Sequence, residues 1–176
     1  HIGIDESGKG DFFGPLVVAA AYTNEDLYKR LRDIGVKDSK AITSDKQAIA
    51  IAEKIKKILG PTRYAVVRIG NAAYNRLYAK YKSINTILAW GHARAIENLI
   101  TNIPSCKVAI ADQFGKSEDV IKRALMQKGK SIELRQRHKA EADVAVAAAS
   151  ILAREAFLTS LKQLEEKYEN QFHKGA

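Results

Sequence analysis

The stretch that most constrains the fold is GIDESGKGDFFGPLVVAAAY, residues 3–22. Apolar, β-rich runs at 2–5 and 14–22 flank a turn studded with glycine, which predicts a strand, a tight connection and a second strand. Gly3 to Gly10 comes within one residue of the phosphate-loop pattern G-x-x-x-x-G-K-[ST], but Gly10 stands where the magnesium-binding hydroxyl belongs. A phosphate loop also opens a helix, whereas the residues that follow here are strand-like and include Pro15. Asp5 and Glu6 sit inside the loop and repel a triphosphate unless metal ions intervene. The motif is therefore read as a metal-holding acid pair rather than a nucleotide loop.

Paired acids near a phosphate substrate are the usual holders of catalytic Mg2+ or Mn2+. Adjacent strand residues face opposite sides, so Asp5 and Glu6 share such a site only at a strand end or kink, which Gly8 and Gly10 are placed to provide. Asp112 follows the apolar run KVAIA, and an acid at the tip of a buried strand is a rigidly held ligand. Glu141 and Asp143 precede the alanine-rich helix DVAVAAASILAR, where an acid also suits the helix dipole. Twenty-nine Lys and Arg against twenty Asp and Glu leave a formal charge of +9, which favours a polyanionic partner. Acids gathered in a basic protein suit metal-dependent cleavage of nucleic acid.

The 176 residues fit one domain, and no linker divides them. Asn24 caps an expected helix at 24–34, and a second helix at 44–59 stops at Gly60-Pro61. Further helices are expected at 71–80, 85–101, 116–127, 142–157 and 159–169, with strands at 63–69, 107–111 and 131–135. This alternation implies one mixed sheet with helices on both faces. Tyr74, Tyr78, Tyr81 and Trp90 lie at roughly helical intervals and read as core or flank packing. The clusters Lys29, Arg30, Arg32 and Lys54, Lys56, Lys57 read as solvated faces. No apolar run approaches the ~20 residues that cross a bilayer. Cys106 is alone, so no internal disulfide forms and a reducing, cytoplasmic home is expected, without membrane association. The abrupt beginning, HIGIDE, and ending, FHKGA, suggest a fragment of a longer protein.

Taken together, GIDESGKGDFFGP, the DSK of Asp38 to Lys40, AIADQF through Asp112 to Phe114, and KAEADVAVAAASILAR at 139–154 resemble the type 2 ribonuclease H family. YNRLYAKYKSINTILAWGHARAIENL, 74–99, is similar to its middle segment, so the resemblance covers nearly the whole chain. GKGDFFGP and DQF look more like the ribonuclease HIII branch than the HII branch, whose opening typically reads G-R-G-P-x-x-G-P. That branch usually carries an amino-terminal substrate-binding domain of TBP-like fold, which these residues do not include.

The resemblance implies an RNase H-like α/β fold, a five-stranded mixed sheet flanked by helices, and a monomer that cuts the RNA strand of RNA–DNA hybrids. Asp5, Glu6 and Asp112 would be metal-binding catalytic acids holding two Mg2+ or Mn2+ ions, with 5'-phosphate and 3'-hydroxyl products. The fourth acid maps to Glu141, although spacing from the AAASILAR helix leaves Asp143 as a substitute. Gly8, Lys9 and Gly10 would approach the hybrid's backbone, and Ser39 and Lys40 would contact phosphate. His138 and Lys139 are secondary candidates for orienting water or touching phosphate. Three rival readings remain at this level: an HII-type enzyme acting at single embedded ribonucleotides, a different nuclease or transposase sharing this fold, and a basic nucleic-acid-binding module without catalysis.

Overall fold

The structure, a computed structural model, describes residues 1–36, 42, 44–112, 132–137 and 140–175. Strand β1 (Ile2–Ser7) and strand β2 (Leu16–Tyr22) form an antiparallel pair whose register runs from Ile2 opposite Tyr22 to Ser7 opposite Val17. Helices α1 (Glu25–Asp33) and α2 (Asp45–Leu59) follow, then strand β3 (Tyr64–Ile69), helices α3 (Asn71–Tyr81) and α4 (Ile84–Asn102), and strand β4 (Val108–Asp112). Strand β5 (Glu133–Arg137), a 3-10 turn (Ala140–Ala142) and the long helix α5 (Val144–Tyr168) complete the described chain. The sheet order is β3-β2-β1-β4-β5; β2 is antiparallel to both neighbours, and β1, β4 and β5 run parallel. The expected five-stranded mixed sheet is thus the observed one.

Local chemistry explains the boundaries. Asn24 accepts from the Leu27 amide and Ser44 from Gln47, Ser83 caps α4 through Thr86 and Asp143 caps α5 through Ala145 and Val146, so four helices begin at side-chain caps. Alternation then sends Ile2, Ile4, Val18 and Ala20 to the α4 face, where they meet Leu88, Ala95 and Ile96. Val17, Ala19 and Ala21 face the other way and pack with α1, α2 and α5 through Leu31, Ile55 and Leu152. Complete burial of each such valine, leucine or isoleucine side chain is worth about 1.5–3 kcal/mol. Both faces of the sheet are covered, and β1 is its central strand.

Several expectations require correction. The helices expected at 142–157 and 159–169 are one helix, α5, because nothing between them breaks the ladder; Thr159 and Ser160 bond back to Glu155 and to the Ala156 carbonyl. That continuous helix is long and apolar enough to cross a membrane by length and composition, although Arg154 and Glu155 interrupt its apolar run. Its apolar window is 72% buried against the sheet, which explains its composition as that of a core helix. Strand β5 lies two residues beyond the expected 131–135, where parallel pairing with β4 places it. Of the aromatic residues expected in core or flank packing, Tyr74 packs against the core and stacks on Tyr78, whereas Tyr78, Tyr81 and Trp90 are exposed; α3 buries no residue, and Arg94 lies over the Trp90 ring. Lys56 is not simply solvated: it bridges α2 to α5 through the buried Glu155 at 2.9 Å. The helix expected at 116–127 lies outside the described residues.

Helix α5 comes very close to the backbone of β1. A Cβ on Gly3 would lie 2.1 Å from the Ala145 carbonyl carbon and from the Val146 nitrogen. Gly3→Ala is expected to cost on the order of 3 kcal/mol or more, read as a lower urea midpoint at unchanged slope. Gly10→Ala, where a Cβ meets nothing within 4 Å, is expected to stay within about 0.5 kcal/mol of the parent.

Candidate active site

Asp5 and Glu6 lie within β1 rather than in the turn, because β2 supplies ladder partners as far as Ser7; Asp5 stands opposite Ala19 and Glu6 opposite Val18. They face opposite sides of the sheet near its carboxyl end. Asp5 is turned toward α5, where Ser150 hydrogen-bonds its carboxyl, and Asp5 Oδ1 accepts from the Glu6 amide at 2.9 Å. Glu6 is turned toward α4, and its Oε2 lies 3.0 Å from His92 Nε2.

Strand β4 delivers Asp112. Its parallel register pairs Ala111 with Ile4, so the next position brings Asp112 beside Asp5 at the carboxyl ends of adjacent strands. By alternation the two acids share the α5 side, since Val108 and Ile110 pack with Val146 of that helix. Ser7, Ser150 and Arg154 join Glu6 in lining a cleft of about 240 Å3. Arg154 closes one wall, donating to the Ile42 carbonyl at 2.6 Å and to Asp45 at 2.9 Å.

The two adjacent acids are tuned apart. Burial, with the nearby Glu6 charge, pushes the Asp5 carboxyl up to about 6 despite the Ser150 hydrogen bond. Burial also works against ionised Glu6, but the hydrogen bond and charge of His92, with Lys9 nearby, hold it below the usual value. A desolvated carboxyl beside an ionised one is a pair that a divalent cation would relieve, and oxygen-only donors suit Mg2+ or Mn2+. Among the described residues no three acid, His or Cys side chains form a closed metal cage. That is compatible with ions of the magnesium type, which commonly take one or two carboxylates and complete their shells with water and substrate phosphate.

Of the remaining expected site residues, Glu141 falls in the 3-10 turn directly before α5, and its side chain lies outside the described residues. Asp143 is the N-cap of α5: its carboxylate accepts from the Ala145 and Val146 amides and lies 2.9 Å from His1 Nε2. Gly8 has a φ of +87°, and a Cβ there would sit 2.3 Å from the Pro15 carbonyl oxygen, so the hairpin itself demands glycine. Gly10 is exposed and sterically open. Lys9 lines a groove of about 490 Å3 together with Phe12, Asn71 and Tyr74. Ser39, Lys40, His138 and Lys139 lie outside the described residues. His92, Ser150 and Arg154 were not singled out by sequence reasoning. The available signal for His92 was its spacing of four from Leu88 and from Ile96, which puts a polar residue on the buried stripe of α4.

A sheet of order 3-2-1-4-5 with acids at the carboxyl ends of its two central parallel strands defines an RNase H-like α/β protein. The family model described as Ribonuclease HII matches residues 2–176, and the chain belongs to that family. It is 48% identical over 176 residues to a protein named Ribonuclease HIII from Protochlamydia amoebophila, matching 100% of this chain and 56% of the relative. The chain thus spans little more than half the length of that relative. Among solved structures, Bst-RNase HIII in complex with Mn2+ superposes with a TM-score of 0.88 at 36% identity, covering 99% of this chain and 57% of the other. RNase HII from Archaeoglobus fulgidus, in its complex with PCNA, gives a TM-score of 0.76 at 32% identity, covering 96% and 77%.

The raised Asp5 value carries a stability consequence for the metal-free protein. Below the ordinary value of 3.8 Asp5 is protonated folded or unfolded and imposes no penalty; as pH rises through about 6 the penalty of ionising it in the fold develops fully. Asp5→Asn keeps the acceptor for the Glu6 amide and removes the charge. In EDTA it is expected to stabilise the protein by on the order of 2–3 kcal/mol above pH 7, with the gain vanishing below pH 4 in denaturant titrations.

Proposed function

We propose that this chain is the catalytic part of a metal-dependent endoribonuclease that cuts the RNA strand of RNA–DNA hybrids. The observation that carries this reading is the Asp5–Glu6 pair at the end of β1 with Asp112 beside it on β4, in a chain of formal charge +9. The Mn2+ complex of Bst-RNase HIII supports Mg2+ or Mn2+ as cofactor. Likeness to relatives named Ribonuclease HIII supports continuous hybrid over a single embedded ribonucleotide as the substrate.

Asp5, Glu6, Asp112 and Glu141 would hold two ions, whose chemistry when bound is to activate water and to stabilise the departing 3' oxygen of an in-line displacement. The chain's own part is to present these carboxylates rigidly. Asp5 is held by Ser150 and by the Glu6 amide, and Glu6 by His92. Glu141 is favoured over Asp143 as the fourth acid because the Asp143 carboxylate is engaged by two helix amides and His1. Lys9, with Gly8 and Gly10, would meet the backbone of the hybrid, where the open space at Gly10 leaves the turn accessible. Ser39 and Lys40 would add phosphate contacts. We further propose a monomer working in the cytoplasm without membrane attachment, a setting in which the buried free thiol of Cys106 stays reduced.

With Mg2+ or Mn2+ and a labelled hybrid, the full-length protein is expected to cut only the RNA strand, leaving 5'-phosphate ends; no cleavage in either ion would overturn the reading. Asp112→Asn is expected to remove cleavage while hybrid affinity in EDTA stays near the parent value, since the basic contacts are untouched. Parallel loss of binding would make Asp112 structural. Glu141→Gln is expected to abolish turnover, and Asp143→Asn to retain most of it.

A further inference from the structure

Histidine 92 sits on the face of α4 that packs against the sheet, fully buried between the turns that carry Leu88 and Ile96. The helix comes unusually near the sheet here: a Cβ on the neighbouring Gly91 would lie 2.8 Å from Val18 Cγ2. That approach lets the imidazole reach across the core to β1, where its Nε2 meets Glu6 Oε2 at 3.0 Å. The Glu6 side chain retains 14% exposure near the carboxyl end of β1, whereas that of His92 retains none. His92 therefore meets the acid from the buried α4 side and is itself screened from solvent.

Glu6 Oε2 is 3.0 Å from the imidazole nitrogen, and a carboxylate that holds a metal ion only accepts hydrogen bonds. The nitrogen facing it must carry the proton, so His92 donates. A leucine at 92 would fill the same apolar layer at no desolvation cost, whereas an imidazole there must recover its own by hydrogen bonding. The distinctive contribution of the histidine is thus the direction of the bond rather than the packing.

We propose that His92 is a positioning residue for the metal site, donating Nε2–H to one Glu6 oxygen so that the carboxylate keeps one rotamer at the end of β1. This deepens the nuclease reading and rests on it. Outer partners of metal-holding carboxylates typically change metal affinity by 10–100-fold when removed. On the opposite face Ser150 serves Asp5, so the two adjacent acids are oriented by different helices from opposite sides of one strand.

The test compares full-length His92→Gln, whose amide nitrogen can stand in for Nε2, with His92→Leu, which keeps bulk and loses the donor. Calorimetric Mn2+ titration of the nuclease without substrate is expected to show affinity lowered about 10–100-fold in His92→Leu and near parental in His92→Gln. Hybrid cleavage by His92→Leu should recover as Mn2+ is raised, and hybrid affinity in EDTA should not change. If His92→Leu does not fold, His92→Asn, whose amide falls short of Glu6, takes its place against His92→Gln. Unchanged Mn2+ affinity in the donor-less variant, or equal loss in both variants, would overturn the role of His92. A parent protein that binds Mn2+ but does not cut hybrid would overturn the nuclease reading and leave the positioning role standing, whereas a parent that binds no Mn2+ would overturn both.

Discussion

The contact between α5 and β1 governs the arrangement of the site. Gly3 lets the backbone of Ala145 and Val146 come within 2.1 Å of where a side chain would begin. With the helix seated that closely, the row of alanines at 145 and 147–149 is buried with no exposed surface, and Ser150 arrives beside Asp5 one turn further on. Any larger residue at position 3 would lift the helix, and Asp5 would lose both its desolvation and its hydrogen-bond partner. Packing and chemistry are consequently not separable along this strand.

The other face of β1 repeats the device with different residues. Gly91 admits Val18 and brings α4 down, and His92 reaches Glu6. Two neighbouring carboxylates that by alternation must point apart are each met by a polar group from the helix on their own side. The result is one carboxyl pushed up to about 6 and another held below its ordinary value, one residue apart in the chain. Part of the stability gained in the core is offset by that arrangement, because a buried acid next to an ionised one is unfavourable until a cation or a proton joins it.

Much of this was legible in the residues. Strand alternation, the caps Asn24 and Ser44, and the stop at Gly60 determine most element boundaries by local chemistry alone, and the structure agrees with them to within a residue or two. The acids Asp5, Glu6 and Asp112 stand out as candidates because charged residues at the ends of apolar strands break the pattern around them. Where local reading failed, the deciding partner was distant in sequence. β1 extends through the acids because β2 pairs with it as far as Ser7, β5 is placed by its register with β4, and α5 runs unbroken because the sheet buries its apolar length.

By itself, then, the sequence determined which segments form strands and helices, which acids are available, and that the β1–β2 connection is a hairpin rather than a phosphate loop, since these depend on periodicity, turn chemistry and charge. Only the tertiary structure decided that Glu6 is backed by His92, 86 positions away, that Asp5 is desolvated under α5, and that the Asp143 carboxylate is occupied as a helix cap. Desolvation and hydrogen-bond direction are properties of what surrounds a group in space, and a residue's chain neighbours do not specify them.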